Sequence, residues 1–170
     1  MKPMVTIDAA APEDAALVLD FIRELAEYER LAHVVSATEE DLRRTLFGAG
    51  ACAHALIARL NGAPAGFAVY FFNYSTFLGK PGLYLEDLYV RPAARRQGVG
   101  QRLLAHLAGI GLERGCGRME WAVLDWNERA IAFYVSLGAS PNEEWTTYRL
   151  SSEALRRLAA AAGREDRAPE

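Results

Sequence analysis

Two stretches of this chain carry residues whose types and spacing could do chemistry. The first is Arg95-Arg96-Gln97-Gly98-Val99-Gly100, where a strand pattern gives way to a helix pattern. Glycines there let the backbone approach a ligand closely. Free N–H groups at a helix start, with the helix dipole behind them, favour a pyrophosphate, and Arg95 and Arg96 add positive charge. No Gly-Lys-Ser/Thr follows, so this is not a P-loop. The run also falls short of the six-residue dinucleotide fingerprint. Taken alone it fits a simple tight turn as well as a phosphate cradle. The second stretch is Glu86-Asp87, two acids inside the apolar run Leu83 to Val90. They could close a strand in solvent, yet a carboxylate pair also attracts a cation. Successive strand residues point to opposite faces, so only one acid faces a cleft unless the strand is bulged. Glu86 is the expected one.

Composition bounds what such residues could serve. The chain has 170 residues, is 51% hydrophobic and carries a net charge of −3. That length suits one domain with its own core, and the balance of apolar content and charge is not that of a disordered chain. A weakly acidic chain is a poor nucleic-acid binder. No apolar run approaches the roughly 18 residues of a membrane span, and the first residues lack the order of a signal peptide. A cytoplasmic protein without membrane or nucleic-acid partners is expected. Cys52 and Cys116 form no CxxC, and His33, His54 and His106 have no metal spacing. Two buried thiols, structural histidines and no metal are therefore expected.

The elements that must position these residues follow from periodicity. Val5 to Ile7 opens as a strand. Pro12 starts a helix carrying Leu17, Val18, Phe21, Ile22 and Leu25 at helical spacing. Ser36 and Glu39 have capping-box spacing before a second helix. Cys52 to Leu60 and Gly66 to Asn73 read as a hairpin around Asn61-Gly62. Leu83 to Val90 is a further strand, and Gly98 to Arg114 a long helix. Arg118 to Leu124 is a strand, and Asn127 caps a helix closed by Gly138. Trp145 to Leu150 alternates like a late strand, and Ser152 to Ala162 is a terminal helix. The expected fold class is mixed α/β, with helices on a mostly antiparallel sheet. Residues 1–162 form a single domain, and 163–170 a frayed tail.

The loop after a Val-x-Pro strand end resembles the acetyl-CoA loop of the GNAT superfamily of N-acetyltransferases. The run Trp126-Asn127-Glu128-Arg129-Ala130-Ile131-Ala132-Phe133-Tyr134, closing at Leu137-Gly138-Ala139, is similar to that superfamily's other hallmark. Four stretches resemble the spermidine/spermine (diamine) and thialysine acetyltransferase branch: Glu24 to Glu29, Gly66 to Phe72, Tyr84 to Val90, and Trp126 to Tyr134.

The resemblance implies a GNAT fold and transfer of acetyl from acetyl-CoA to a small cationic primary amine by direct attack in a ternary complex. It assigns Tyr134 as general acid and Glu86 as base, through water. Amines near pKa ~10 arrive protonated, and a phenol near ~10 can protonate a thiolate whose thiol lies near ~8.5. Leu88, Tyr89 and Val90 would bind the acetyl carbonyl and pantetheine. Arg95, Arg96, Gln97, Gly98, Val99, Gly100 and Gln101 would hold the pyrophosphate, and Asn127, Glu128, Arg129 and Ala130 would also contact the cofactor. Tyr28, Glu29, Glu86, Asp87, Glu120, Trp121, Ala122 and Glu144 would face the amine. Phe77 stands where the polyamine enzymes have Trp, which argues against polyamine preference. A homodimer using the C-terminal strand region is also implied. Acetylation of a protein or peptide amine, and a non-catalytic acetyl-CoA-binding module, stand as alternatives.

Overall fold

The structure is a computed structural model that describes residues 3–165. The chain divides into two compact units, Met1–Ala122 and Val123–Glu170. The first holds β1 (Val5–Ala9), α1 (Ala15–Tyr28), α2 (Glu39–Leu46), β2 (His54–Leu60), β3 (Ala63–Ser75), β4 (Lys80–Val90), α3 (Val99–Glu113) and β5 (Met119–Trp121). The second holds α4 (Glu128–Ser136) and α5 (Ser152–Glu165). The five strands form one sheet in the order β1-β2-β3-β4-β5. Its first three pairings are antiparallel, and β4 pairs with β5 in parallel. A parallel pair needs a crossover, and α3 supplies it. This is the expected mixed α/β architecture.

Local chemistry explains most boundaries. Asn61 and Gly62 take φ of 51° and 84°, the left-handed pair that a two-residue hairpin turn of the right twist requires. At α2 the cap is Thr38, not Ser36: Asp41 N–H donates to Thr38 Oγ1 at 3.1 Å, and Thr38 N–H donates to Asp41 at 3.1 Å. The same i, i+3 spacing recurs two residues on, so the sequence offered two registers for one reciprocal cap.

Apolar α1 residues Val18, Phe21 and Leu25, with Leu42 of α2, cover Ala55, Ile57, Phe67, Val69 and Tyr89 on one sheet face. Phe21 stacks on Phe67 with centroids 5.2 Å apart. Leu103, Leu104 and Leu107 of α3 are buried, and Gly111 of α3 lies against Leu83.

Two further expectations fail. Trp145 to Leu150 forms no strand, and its residues are exposed. Alternation marks a two-faced ribbon, but a strand also needs a backbone ladder, and among the described residues nothing pairs with this segment. α5 runs on to Glu165, and the rest of the expected tail lies outside the described residues. Cys52 is exposed, because β2 begins only at His54 and leaves it in the preceding loop. Cys116 is half-buried, and both thiols are free. Among the described residues no helix is long and apolar enough to cross a membrane.

Candidate active site

The site begins with a fault in β4. Val69 faces Asp87, but Tyr70 faces Leu85, which leaves Glu86 as an extra residue on β4. Side chains alternate along a strand, so one inserted residue reverses every face beyond it. Leu83 and Leu85 therefore lie opposite Phe72 and Tyr70, at 0% and 1% exposure. Asp87 and Tyr89 lie opposite Val69 and Phe67, on the face covered by α1. In an unbroken strand Asp87 would share the buried face of Leu85. Gly66 lets the two strands meet here, since a Cβ on it would lie 2.5 Å from the Tyr89 carbonyl oxygen.

The bulge creates an electrostatic site. Burial raises the Asp87 carboxyl to about 6, with smaller contributions from the charges of Glu86 and Glu29. Glu29, at the end of α1, is also raised by burial. Asp87 of β4 thus feels the charge of its neighbour Glu86 and that of Glu29 from the end of α1. Burial, then the charges of Glu86 and Glu120, pushes up the Tyr84 phenol. Its ring packs on Phe71 at 5.1 Å. Reading residues alone did not single out Tyr84: a period of two gives no sign of where a bulge will set it.

Around the carboxylates, arginines fasten α1 to the strands. Arg91 Nε and Nη2 donate to Glu24, the latter at 2.7 Å, and Nη1 donates to the Pro64 carbonyl at 3.1 Å. Its guanidinium lies 4.6 Å over the Phe21 ring. Arg95 lies 4.9 Å over Tyr28 and 5.7 Å over Tyr89, and its Nε donates to the Val90 carbonyl at 2.9 Å. Glu120 is engaged on β5, accepting from Arg118 at 2.8 Å and from Asn73 at 3.3 Å. Trp121 sits opposite Leu85 in the β4–β5 register, and Ala122 follows the end of β5.

The Gly-rich loop lies between a short 3-10 turn, Pro92–Ala94, and α3. Arg96 and Gly98 take φ of 62° and 81°. Left-handed backbone suits Gly98 and strains Arg96. Gln97 Nε2 donates to the Ala93 carbonyl at 3.0 Å. Val99 is buried and seats the helix, whereas Gln101 is exposed. Gly98 is the N-cap of α3 and offers no side-chain cap. First-turn N–H groups at Val99, Gly100 and Gln101 are therefore not occupied by a capping side chain, a donor set that fits a pyrophosphate. The β4–β5 pairing spans only Leu83 to Leu85 on β4. Among the described residues no strand pairs with that edge beyond it, at Leu88, Tyr89 and Val90, so its backbone groups suit an extended polar arm. Acetyl-CoA therefore fits this unit's donor set. A cavity of about 450 Å³ lined by Arg23, Glu27, Ala32, Val35, Ser36 and Ala37 includes none of these residues.

The second unit carries the remaining expected residues. Asn127 Oδ1 accepts from Ala130 N–H at 3.2 Å and caps α4 ahead of Glu128 and Arg129. Gly138 takes φ 92°. Ala139 N–H donates to the Tyr134 carbonyl at 3.2 Å, and Gly138 N–H donates to that of Val135 at 2.9 Å. This pair of bonds fixes Tyr134 in the last turn of a glycine-capped helix. Tyr134 is half-buried, with its ring 5.6 Å from Phe133. Glu144 is exposed in a turn before the unpaired segment 145–150. Among the described residues no group of three His, Cys, Asp or Glu could hold a metal.

Comparison with known proteins agrees with this geometry. Residues 19–139 match the Acetyltransferase (GNAT) family. A thialysine N-epsilon-acetyltransferase of Bos taurus is 41% identical, over 91% of this chain and 97% of its own. An L-ornithine N5-acetyltransferase of Arabidopsis thaliana is 31% identical, over 89% of this chain and 86% of its own. The solved structure of an integron cassette protein from the mobile metagenome of V. cholerae superimposes with a TM-score of 0.76. It is 31% identical and covers 94% of this chain and 98% of its own. The chain is an acetyltransferase and belongs to the GNAT family.

Proposed function

We propose that this enzyme moves the acetyl group of acetyl-CoA to the terminal amine of a small, lysine-like amino acid by direct attack in a ternary complex. One observation carries the reading: the β4 bulge turns Asp87 to the face covered by α1, where it feels the charges of Glu86 and Glu29. A cationic amine offsets the repulsion among those carboxylates, which is how such a cluster selects its substrate. The names of the bovine and plant relatives, a thialysine and an ornithine acetyltransferase, support an amino-acid substrate.

Acetyl-CoA supplies the activated acetyl group as a thioester. The chain's own residues do the rest. By the family resemblance, backbone N–H groups in the stretch Leu88 to Val90 donate to the oxyanion. The ammonium proton leaves, through water, to the Glu86–Asp87 pair. Asp87, raised to about 6, is a stronger base than an ordinary aspartate and is still ionised at neutral pH. Tyr134, by the family resemblance, returns a proton to the departing thiolate. Residues 1–162 act as one domain in the cytoplasm. The exposed apolar side chains of Trp145, Tyr148 and Leu150, at 68%, 92% and 53% exposure, support a homodimer in which this segment finds its ladder.

A thiol-release screen tests the reading, using thialysine, lysine, ornithine, spermidine, putrescine and a lysine peptide. Thialysine, lysine or ornithine is expected to give the highest kcat/KM. Tyr134→Phe is expected to cut kcat by about a hundredfold or more while acetyl-CoA still binds. No thiol release with any amine refutes the activity, and preference for the peptide refutes the substrate class.

A further inference from the structure

We propose that Arg95 is a positioning residue for the amine subsite and not a ligand of the pyrophosphate. The inference rests on the proposed amine site and names the residue that builds it. Although Arg95 opens the Gly-rich loop, its side chain engages α1 and β4. The guanidinium lies 4.9 Å over Tyr28 and 5.7 Å over Tyr89, and its Nε is held by the Val90 carbonyl at 2.9 Å. Those partners belong to the two segments that carry the carboxylates. Tyr28 is the last residue of α1 and adjoins Glu29. Tyr89 is two residues beyond Asp87 on the same strand face. Arg95 thus clasps the end of α1 to the end of β4.

That clasp is needed because α1 ends on an unfavourable turn. Arg30 takes φ 63° where glycine is the usual residue, while Leu31 N–H reaches the Ala26 carbonyl at 2.7 Å and Arg30 N–H the Glu27 carbonyl at 3.1 Å. A side chain in left-handed backbone is disfavoured, so local preference alone does not hold Glu29 in place. Contact of a cation with two aromatic rings supplies an opposing attraction. Arg96 behaves differently. It is exposed, and among the described residues it makes no hydrogen bond or ion pair, so its charge stays available to an anion.

Steady-state kinetics with thialysine, and calorimetric binding of acetyl-CoA without amine, separate the two roles. Arg95→Met is expected to raise the thialysine KM about tenfold, with kcat and the acetyl-CoA Kd each within about threefold of wild type. Tyr28→Leu should raise the same KM, and the two effects should be less than additive, because each removes the Arg95–Tyr28 contact. Arg95→Lys, which keeps the cation, should recover part of the loss. An acetyl-CoA Kd weakened by about tenfold in Arg95→Met overturns the proposal, as does an unchanged thialysine KM. If Arg95→Met does not fold, Arg95→Lys and Tyr28→Leu decide by the same readouts. Should wild type turn over no amine, the activity reading fails, while acetyl-CoA binding still judges Arg95.

Discussion

The Gly-rich loop and the carboxylate cluster sit at opposite ends of one short segment, β4 and its exit, yet they are built from different materials. At the loop the functional groups are backbone N–H donors, set by φ at Arg96 and Gly98 and by the start of α3. In the cluster they are side-chain charges whose strength comes from burial, set by a bulge and by the end of α1. A backbone site is local: six consecutive residues specify it, and neutral substitutions of most side chains leave it standing. A burial site is collective. Asp87 is perturbed only because Glu86, Glu29 and the α1 face surround it. The loop should therefore answer to backbone geometry, and the cluster to charge and pH.

The largest expected effect tests the cluster. Asp87→Asn keeps the shape and removes the charge, and should lower amine kcat/KM by about a hundredfold, with the acetyl-CoA Kd within about threefold. Equal losses for both substrates would erase the distinction between the regions. At the loop the matching change is Gly98→Ala. No atom lies within 4 Å of a Cβ there, so the cost comes from φ 81° alone. It should weaken acetyl-CoA about tenfold and leave the amine KM unaltered, both read by calorimetry and initial rates.

Stability against pH gives a smaller effect with a defined sign. The folded Asp87 carboxyl is raised from 3.8 to about 6, so between those values the folded state binds more protons than the unfolded state. Its contribution is fully present below about pH 4 and is lost as pH rises through about 6. Wild type should lose about 2–3 kcal/mol from this group between pH 4 and pH 7.5. Asp87→Asn should not, so urea melts of the two proteins should converge at low pH and separate, in the variant's favour, at high pH. Smallest of all is Glu120→Gln. Glu120 is already held by Arg118 and Asn73, and thialysine kcat/KM should change by about twofold or less.

Legibility in the sequence follows the same division. Asn61-Gly62, the Gly98 helix start, the Asn127 cap and the Gly138 stop are local rules, and each is where the residues placed it. The α1 core face followed from spacing alone. The bulge at Glu86 did not, because a period of two has no term for an inserted residue. Alternation points Glu86 to a cleft unless the strand is bulged, and the bulge turns Asp87 to the face covered by α1. Arg95 read as one more positive charge on a phosphate loop, since a contact with Tyr28 crosses 67 residues of chain. Trp145 to Leu150 had a strand's alternation but no described partner, so it remains unpaired. Ser36 lost the cap to Thr38 because two equal spacings competed.

In the proposed mechanism Asp87 is a half-buried base beside the amine. Its carboxyl carbon can be followed by NMR in protein labelled with ¹³C-aspartate, with Asp87→Asn identifying the signal. A titration midpoint of about 6 is predicted, falling when a cationic amine is added. A midpoint near 3.8, the ordinary aspartate value, unmoved by amine, would contradict it.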